Sequence, residues 1–431
     1  MLMPHWPVPT WRKCENKSNL SYLLKLSTQL GNPHLKMPPI IHIAGTNGKG
    51  SSVAMLKSIF ENANYKVHSY TSPHLFEFNE RIVLAGDKIN DEYLFDVLER
   101  TKRAASSINL DNLSFFDGIT VAAYLAFSEI FADILIVETG IGGRLDATNI
   151  IENPIISIIT SISYDHMDFL GLTLQSIATE KAGIIKPHTP CITSLQTQEV
   201  YDVIIAKCQK LKAPLFCYEY DFCAQKSELG FVYLSNTLSH QFSMPSLHGD
   251  HQITNAATVI AAINLLNHQF KINVQQIDNG LREIDWPARI EKIDNYRYSS
   301  LISSNINIWL DGAHNLGGAQ ALANWLRSDV SKPIYLILGM TKNRDVSQFC
   351  QPLVKIIKQA YSVKVLSEAS SYSAEILSDL ASPTGINILP ADSIEAALQD
   401  IDKELAGKSC NVIITGSLYL ASDLSELLKS C

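Results

Sequence analysis

Gly45, Gly48, Lys49, Gly50 and Ser51 fall within seven consecutive positions, GTNGKGS. Glycines let backbone N–H groups approach an anion without Cβ obstruction, a lysine adds a point charge, and a serine hydroxyl can reach a divalent metal. The chemistry these residues suit is the cradling of a polyphosphate. The spacing departs from the general phosphate-loop pattern in two places: Ile43 stands where the first glycine belongs, and Gly50 replaces the Ser or Thr that should follow the lysine. A plain Gly-rich turn with a surface lysine is the competing reading, and the flanking sequence weighs against it. Ile40, Ile41, Ile43 and Ala44 form an apolar run of strand length, while Val53, Leu56, Lys57 and Phe60 open a helical period.

Other chemically capable residues sit at the ends of similar runs. Ala132–Val137 is a continuous apolar stretch that reads as a buried parallel strand, and Glu138 follows it directly. A carboxylate there occupies the position where α/β sheets take their ligands, and it can bind Mg²⁺ directly or through water. His166 follows the strand Pro154–Ile162 at the same level. Single histidines are more often structural, so the shared level leaves both readings open. Ser72 follows the short strand Tyr65–Tyr70 and by itself reads as a turn cap. Lys181 lies on the helix Leu174–Ala182, by default as a solvated residue.

The elements that must position these groups alternate strand and helix. Asn19–Leu30 has the apolar spacing of an amphipathic helix closing at Gly31-Asn32-Pro33, Asp91–Ser106 is helical, and Phe115–Ile130 is a strongly apolar helix. Residues 187–247 read as short strands and turns without a motif. Ile253–Leu266 is a helix carrying Asn255, and Asp285–Arg289 contains a proline that marks an interdomain joint. Beyond it, strands at Ile306–Leu310, Ile334–Leu338, Ala360–Leu366, Ile386–Leu389 and Asn411–Thr415 repeat the α/β grammar, without a GxGxxG fingerprint.

Composition bounds the function. At 431 residues, with 46% hydrophobic and 18% charged residues, the chain predicts two or three domains with substantial cores. A net charge of -8 disfavours a general nucleic-acid or membrane-surface binder. The 8 cysteines (14, 191, 208, 217, 223, 350, 410 and 431) show no CxxC pair, which suits a reducing cytoplasm. Met1–Lys13 lacks the apolar core of a signal peptide, and no window reads as a transmembrane span.

Eight motifs occur in one order: GTNGKGS (45–51), TSPHL (71–75), ETGIGGRLDATN (138–149), YDHMDFLG (164–171), EKAGI (180–184), GDHQITNA (249–256), DGAHN (311–315) and TGSLYLA (415–421). Together they resemble the folylpolyglutamate synthase and dihydrofolate synthase family, a branch of the Mur ligase superfamily, in its bifunctional bacterial form. The odd loop at 45–51 is how that family writes its phosphate loop. The resemblance implies an α/β fold: a P-loop-type parallel-sheet domain over 1–286, like the central domain of Mur ligases, and a smaller Rossmann-like domain over 287–431. It implies a cytoplasmic, monomeric, ATP- and Mg²⁺-dependent ligase without nucleic-acid or membrane partners. Such an enzyme activates the carboxylate of dihydropteroate or a folate as an acyl phosphate and couples it to L-glutamate.

The same resemblance assigns roles. Gly48, Lys49, Gly50 and Ser51 would wrap the ATP phosphates, with Asn255, Arg289 and Asp311 also holding nucleotide. Ser51, Ser72, Glu138 and His166 would serve Mg²⁺. Lys181, matching a lysine that becomes carbamylated, would support a second metal and would act with Lys49 and His314 in catalysis. Phe115, Phe116, Asp117 and Gly118, with Leu145, Asp146, Ala147 and Ser417, would contact substrate. The segment before the first helix departs from the family pattern. Two other readings stay in view. A peptidoglycan-precursor ligase shares the chemistry but needs a further N-terminal domain, for which the residues before Ile40 leave little room. A non-ligase P-loop NTPase would leave Lys181 and the second domain unused.

Overall fold

The computed structural model describes residues 20–430, apart from 111–112, 295–297, 299–300, 304, 330–332 and 343. The readings made of Met1–Lys13, Cys14 and Cys431 lie outside the described residues. The chain packs as two compact units, Met1–Ser246 with Ile253–Ile284, and Leu247–Gln252 with Asp285–Cys431.

The first unit is built on an eight-stranded sheet of β1 (Ile40–Ala44), β2 (Val67–Tyr70), β3 (Ile82–Leu84), β4 (Asp87–Lys88), β5 (Ile134–Glu138), β6 (Ile156–Ile159), β7 (Cys191–Thr193) and β8 (Leu215–Cys217). Their order is β4-β3-β2-β5-β1-β6-β7-β8. From β2 to β8 all neighbours are parallel, and only β3 and β4 run antiparallel at one edge. The apolar runs read from sequence are the central strands, and β1, β5 and β6 are buried at every position. Burial on both faces is why they are dominated by Ile, Leu and Val on both faces rather than alternating, with His42 and Ser157 as buried polar exceptions.

Helices fill the crossovers. α1 (Leu20–Gln29), α3 (Asp91–Ser107) and α4 (Phe115–Glu129) share one hydrophobic cluster with Tyr70, Leu135 and Val137. α4 is buried from Asp117 to Phe127, and its start is capped by Ser114, which accepts from Asp117 N. Each large side chain it buries contributes about 1.5–3 kcal/mol. α2 (Lys49–Asn62) begins inside the glycine loop. α5 (Met167–Leu170) and α6 (Leu174–Lys181) follow β6.

The segment 187–247 departs from the sequence reading, because it contains a helix of 14 residues, α7 (Gln198–Leu211). Its buried stripe, Val200, Tyr201, Ile204 and Cys208, is narrow and includes a tyrosine and a cysteine, so its period is weak beside the polar residues around it. A three-stranded antiparallel sheet follows, of β9 (Phe222–Ser227), β10 (Gly230–Ser235) and β11 (Ser239–Phe242). α8 (His251–Leu266) and α9 (Val274–Arg282) close the unit.

The second unit holds a six-stranded sheet of β12 (Glu291–Lys292), β13 (Ile306–Leu310), β14 (Ile334–Leu338), β15 (Gln359–Ser362), β16 (Ile388–Pro390) and β17 (Cys410–Thr415), ordered β12-β13-β17-β14-β15-β16. All neighbours are parallel except β12 with β13. α10 (Leu316–Asp329) follows β13.

Candidate active site

Parallel register brings several of the chemically capable residues of the first unit to one edge of its sheet. Glu138 pairs with Ile43, Tyr70 with Val137, and Ala44 with Ile159, so β1, β2, β5 and β6 end at nearly one level. Loops leaving that level carry Gly45–Ser51, Ser72, Glu138 and His166, in the crevice where open α/β sheets bind ligands. The β1 and β6 loops are tied together: Thr46 N and Asn47 N donate to Ser161 O at 2.8 and 3.1 Å, and Asn47 Nδ2 donates to Ser163 Oγ at 3.1 Å.

Gly48 caps α2 with φ of 88°, left-handed backbone that an L-residue adopts only with strain. A Cβ on Gly48 would stand 2.6 Å from Asn255 Oδ1, so the close approach of this loop to α8 also requires glycine. Past it begins the first turn of α2, and a helix start is where backbone N–H groups and the helix dipole favour an anion. Ser51 lies buried in that turn.

Glu138 is 5% exposed, with Oε1 3.9 Å from Lys49 Nζ and Oε2 accepting from Ser72 N at 3.3 Å. Lys49 Nζ also donates to Gly45 O at 3.0 Å and Thr46 O at 3.2 Å. Lys181 is not a solvated helix residue. It is 4% exposed, and its Nζ donates to the same Gly45 O at 2.7 Å. Burial, and next the nearby Lys49 charge, hold its amine well below the ordinary lysine range. His166 has φ of 49° at the start of α5, with its Nε2 3.9 Å from Asp165 Oδ1.

A polyphosphate with Mg²⁺ fits this set. The helix start and Lys49 suit phosphate oxygens, and Ser51, Ser72 and Glu138 are hard oxygen donors of the kind Mg²⁺ prefers while keeping several waters. Among the described residues no group of three or more His, Cys, Asp or Glu side chains forms a cation cage.

An aromatic wall lies on the α4 side. The Phe115 ring packs on Phe78 at 5.8 Å, and the Arg81 guanidinium lies 5.7 Å from both rings. Arg81 Nε donates to His74 Nδ1 at 2.8 Å. Burial, and next the Arg81 charge, push the His74 imidazole down to about 4, the neutral form that can accept this bond. Phe116 sits against Gly140, where a Cβ would come within 2.6 Å of the ring. Arg81 and His74 were not singled out in the sequence. The available signal was a basic residue between the apolar Phe78 and Ile82.

Leu145 is half-buried, whereas Asp146 and Ala147 are buried. Asp146 Oδ2 accepts from Ile141 N at 2.9 Å and Oδ1 from Thr148 N at 3.0 Å, so this carboxyl organises its own loop.

In the second unit, Asp311 follows β13. Its oxygens accept from Ile290 N at 3.0 Å and Ala313 N at 2.9 Å, and burial pushes its carboxyl up. Arg289 donates to Ala288 O, and a Cβ on Gly312 would lie 2.8 Å from its Nη1. His314 Nδ1 lies 2.8 Å from Gly312 O, so it is the protonated ring nitrogen. Gly416 N donates to Ala313 O at 3.0 Å, which places Ser417 beside this cluster. Asn255 belongs with the first unit, and Arg289, Asp311, His314 and Ser417 with the second.

Comparison with known proteins agrees with both units. Residues 43–263 match the family described as Mur ligase middle domain, and residues 294–429 match the C-terminal domain of dihydrofolate synthetase. The dihydrofolate synthase/folylpolyglutamate synthase of Bacillus subtilis is 32% identical over 96% of this chain and 95% of its own. A probable dihydrofolate synthetase of Schizosaccharomyces pombe is 30% identical, covering 95% of this chain and 98% of its own. The solved structure of E. coli FolC in complex with DHPP and ADP superposes with a TM-score of 0.84 at 25% identity, over 97% of this chain and 95% of that one.

Proposed function

The chain belongs to the dihydrofolate synthase/folylpolyglutamate synthase family, and from that premise we propose how its residues carry out ATP-dependent ligation of L-glutamate to a pteroate carboxylate. Dihydropteroate is the first acceptor, and polyglutamylation of folates is a second activity of the same site. The carrying observation is Glu138, held between Lys49 Nζ and Ser72 N beside the glycine-lined start of α2.

The acceptor carboxylate attacks the γ-phosphorus of ATP. An O–P bond forms, the bond to the β-phosphate oxygen breaks, and ADP leaves. The glutamate amine then attacks the acyl carbon and expels phosphate. This chemistry needs charge neutralisation and alignment more than covalent help. Gly48, Gly50 and Ser51 cradle the phosphates, and Lys49 neutralises the charge that develops on them. Ser51, Ser72, Glu138 and His166 would hold Mg²⁺, which when bound would polarise the phosphoryl oxygens. Lys181, whose amine burial holds well below the ordinary lysine range, would take up CO₂ as a carbamate with loss of a proton and would support a second metal.

Asn255, Arg289 and Asp311 bind the nucleotide. Phe115, Phe116, Asp117, Gly118, Leu145, Asp146 and Ala147 form the pterin-side contacts, and Ser417 contacts substrate. With Nδ1 protonated, His314 presents Nε2 as the ring's acceptor, the form able to take a proton from the glutamate ammonium.

The enzyme acts as a cytoplasmic monomer without nucleic-acid or membrane partners, organised as domains 1–286 and 287–431. No helix among the described residues is long and apolar enough to cross a membrane. The test is ADP release that requires dihydropteroate and L-glutamate together; hydrolysis indifferent to both would favour a plain NTPase. Parallel product assays with dihydropteroate and tetrahydrofolate apportion the two activities, and gel filtration checks the monomer.

A further inference from the structure

His42 lies in the middle of β1, three residues before the glycine loop, and is fully buried. Its Nε2 is 2.9 Å from the hydroxyl of Thr148, 106 positions away in the loop that follows β5. Thr148 is also fully buried. Its hydroxyl donates to Asp146 Oδ1, and its carbonyl accepts from Tyr124 OH at 2.9 Å. The other donors to that carboxyl are backbone N–H groups, from Thr148, Ile141 and Gly140. The carboxyl is therefore acceptor-only, and the single hydroxyl proton of Thr148 is committed to it. A hydroxyl that has given its proton to Asp146 can only accept from His42. The imidazole must then be the neutral Nε2–H tautomer, with a bare lone pair on Nδ1, and Nδ1 is the ring atom that lacks a partner. An orphaned lone pair in a buried site costs less than an orphaned N–H, so the pattern is self-consistent.

We propose that His42 is a positioning residue: through Thr148 it fixes Asp146 and so locks the 139–150 loop, the pterin-side wall of the acceptor site, to the strand that carries the phosphate loop. The proposal rests on the ligase reading for the identity of the acceptor, but not for the tautomer or the anchoring. One strand then sets both halves of the reaction: its end places the phosphates, and a side chain from its middle places the acceptor. The chemistry concerns positioning alone, and His42 touches neither substrate.

The experiment has two arms. In the wild-type protein labelled with ¹⁵N-histidine, a His42 signal of Nε2–H type at neutral pH, perturbed by Thr148→Val, is expected; an Nδ1–H tautomer overturns the proposal. In steady-state assays His42→Leu and Thr148→Val should each raise the dihydropteroate KM by about tenfold, as expected for loss of a buried hydrogen bond, with the ATP KM unchanged. His42→Gln, which keeps a donor near the Nε2 position, should recover most of the loss. The double variant His42→Leu/Thr148→Val should be no worse than the weaker single. An equal rise in the ATP KM, or failure of Gln to rescue where Leu folds, overturns it. If the wild type lacks acceptor-dependent turnover the ligase reading falls, while the tautomer and faster amide exchange of residues 139–150 in the Thr148→Val variant still decide the anchoring.

Discussion

Gly48→Ala is the most direct test of the phosphate loop, because its cost can be worked from the structure. Placing alanine in left-handed backbone costs about 1–2 kcal/mol. The new Cβ would also meet Asn255 Oδ1 at 2.6 Å and Cγ at 3.3 Å, and Asn255 is only 5% exposed on α8, so it must turn away from the loop. Forcing a buried amide out of its hydrogen bonds adds about 1 kcal/mol. The sum, about 2–3 kcal/mol, corresponds to a fall in Tm of roughly 4–12 °C for a unit of this size. Urea denaturation measures the first quantity and calorimetry the second. Initial-rate kinetics should show a higher ATP KM, because the N–H groups of the first turn no longer face the phosphates. Gly48→Ala/Asn255→Ala should recover about 1 kcal/mol of the summed single losses, since the collision disappears while the backbone strain stays. A single Gly48→Ala variant within 0.5 kcal/mol of wild type, with unchanged ATP dependence, would refute the reasoning.

Lys49→Ala and Glu138→Gln should each lower turnover by about 10³ while leaving the far-ultraviolet circular dichroism and the urea midpoint near wild type. Lys181→Met should abolish ligation yet raise stability at pH 7. Burial, and next Lys49, depress the amine in the folded state, so folding disfavours the charged form that the unfolded lysine keeps up to its ordinary range. Wild-type stability should therefore rise from pH 7 towards pH 9.5 relative to the variant, and paired urea titrations measure the gap. Burial, followed by the Lys186 charge, lowers His42 from 6.5 to about 3, so its neutral form stabilises the fold above pH 6.5 and that contribution is lost as pH falls towards 3. His42→Gln should remove up to about 1.4 kcal/mol per pH unit from the acid slope in that window, measured by urea midpoints at pH 7, 6 and 5.

What the sequence made legible was the part governed by local pattern. β5 is a continuous apolar run ended by a glutamate, β14 is an unbroken apolar run, and β1, β13 and β17 are apolar runs interrupted only by His42, Asn307 and Asn411, and that pattern marks both a buried parallel strand and the level of its ligand-bearing end. Elements with thin apolar faces escaped. α9 buries only Ile277, Gly280 and Leu281, although Asn273 and Gln276 form a capping box that announces its start. Side-chain partners escaped for a different reason. Arg81 with His74 is set by the local fold of the loop after β2, and His42 with Thr148 by strand register and crossover, and neither residue type nor spacing encodes them.

Lys181 shows how far a default derived from sequence can be inverted by packing. A lysine in the last turn of a helix is ordinarily a solvated cation placed well for the helix dipole. Here Gly143 lies against the Glu180 and Lys181 carbonyls, where a Cβ would come within 2.9 and 2.8 Å, and this close packing draws the end of α6 under the loop. The amine then reaches the carbonyl that Lys49 already occupies, with bonds of 2.7 and 3.0 Å to one oxygen. Two ammonium groups sharing one acceptor in a buried site repel, and burial, then this repulsion, makes Lys181 hold its proton less tightly. That cost is what makes a nucleophile: a neutral amine can add CO₂, whereas an ammonium cannot. On the reading proposed above, the carbamate then supplies a second anion opposite Lys49. With Glu138 as the carboxylate bonded to Ser72 N, and with no cage of acidic side chains among the described residues, a second metal needs that added charge. The strain of burying Lys181 and the chemistry of the phosphate loop are thus one arrangement, and a substitution that relieves the first should extinguish the second.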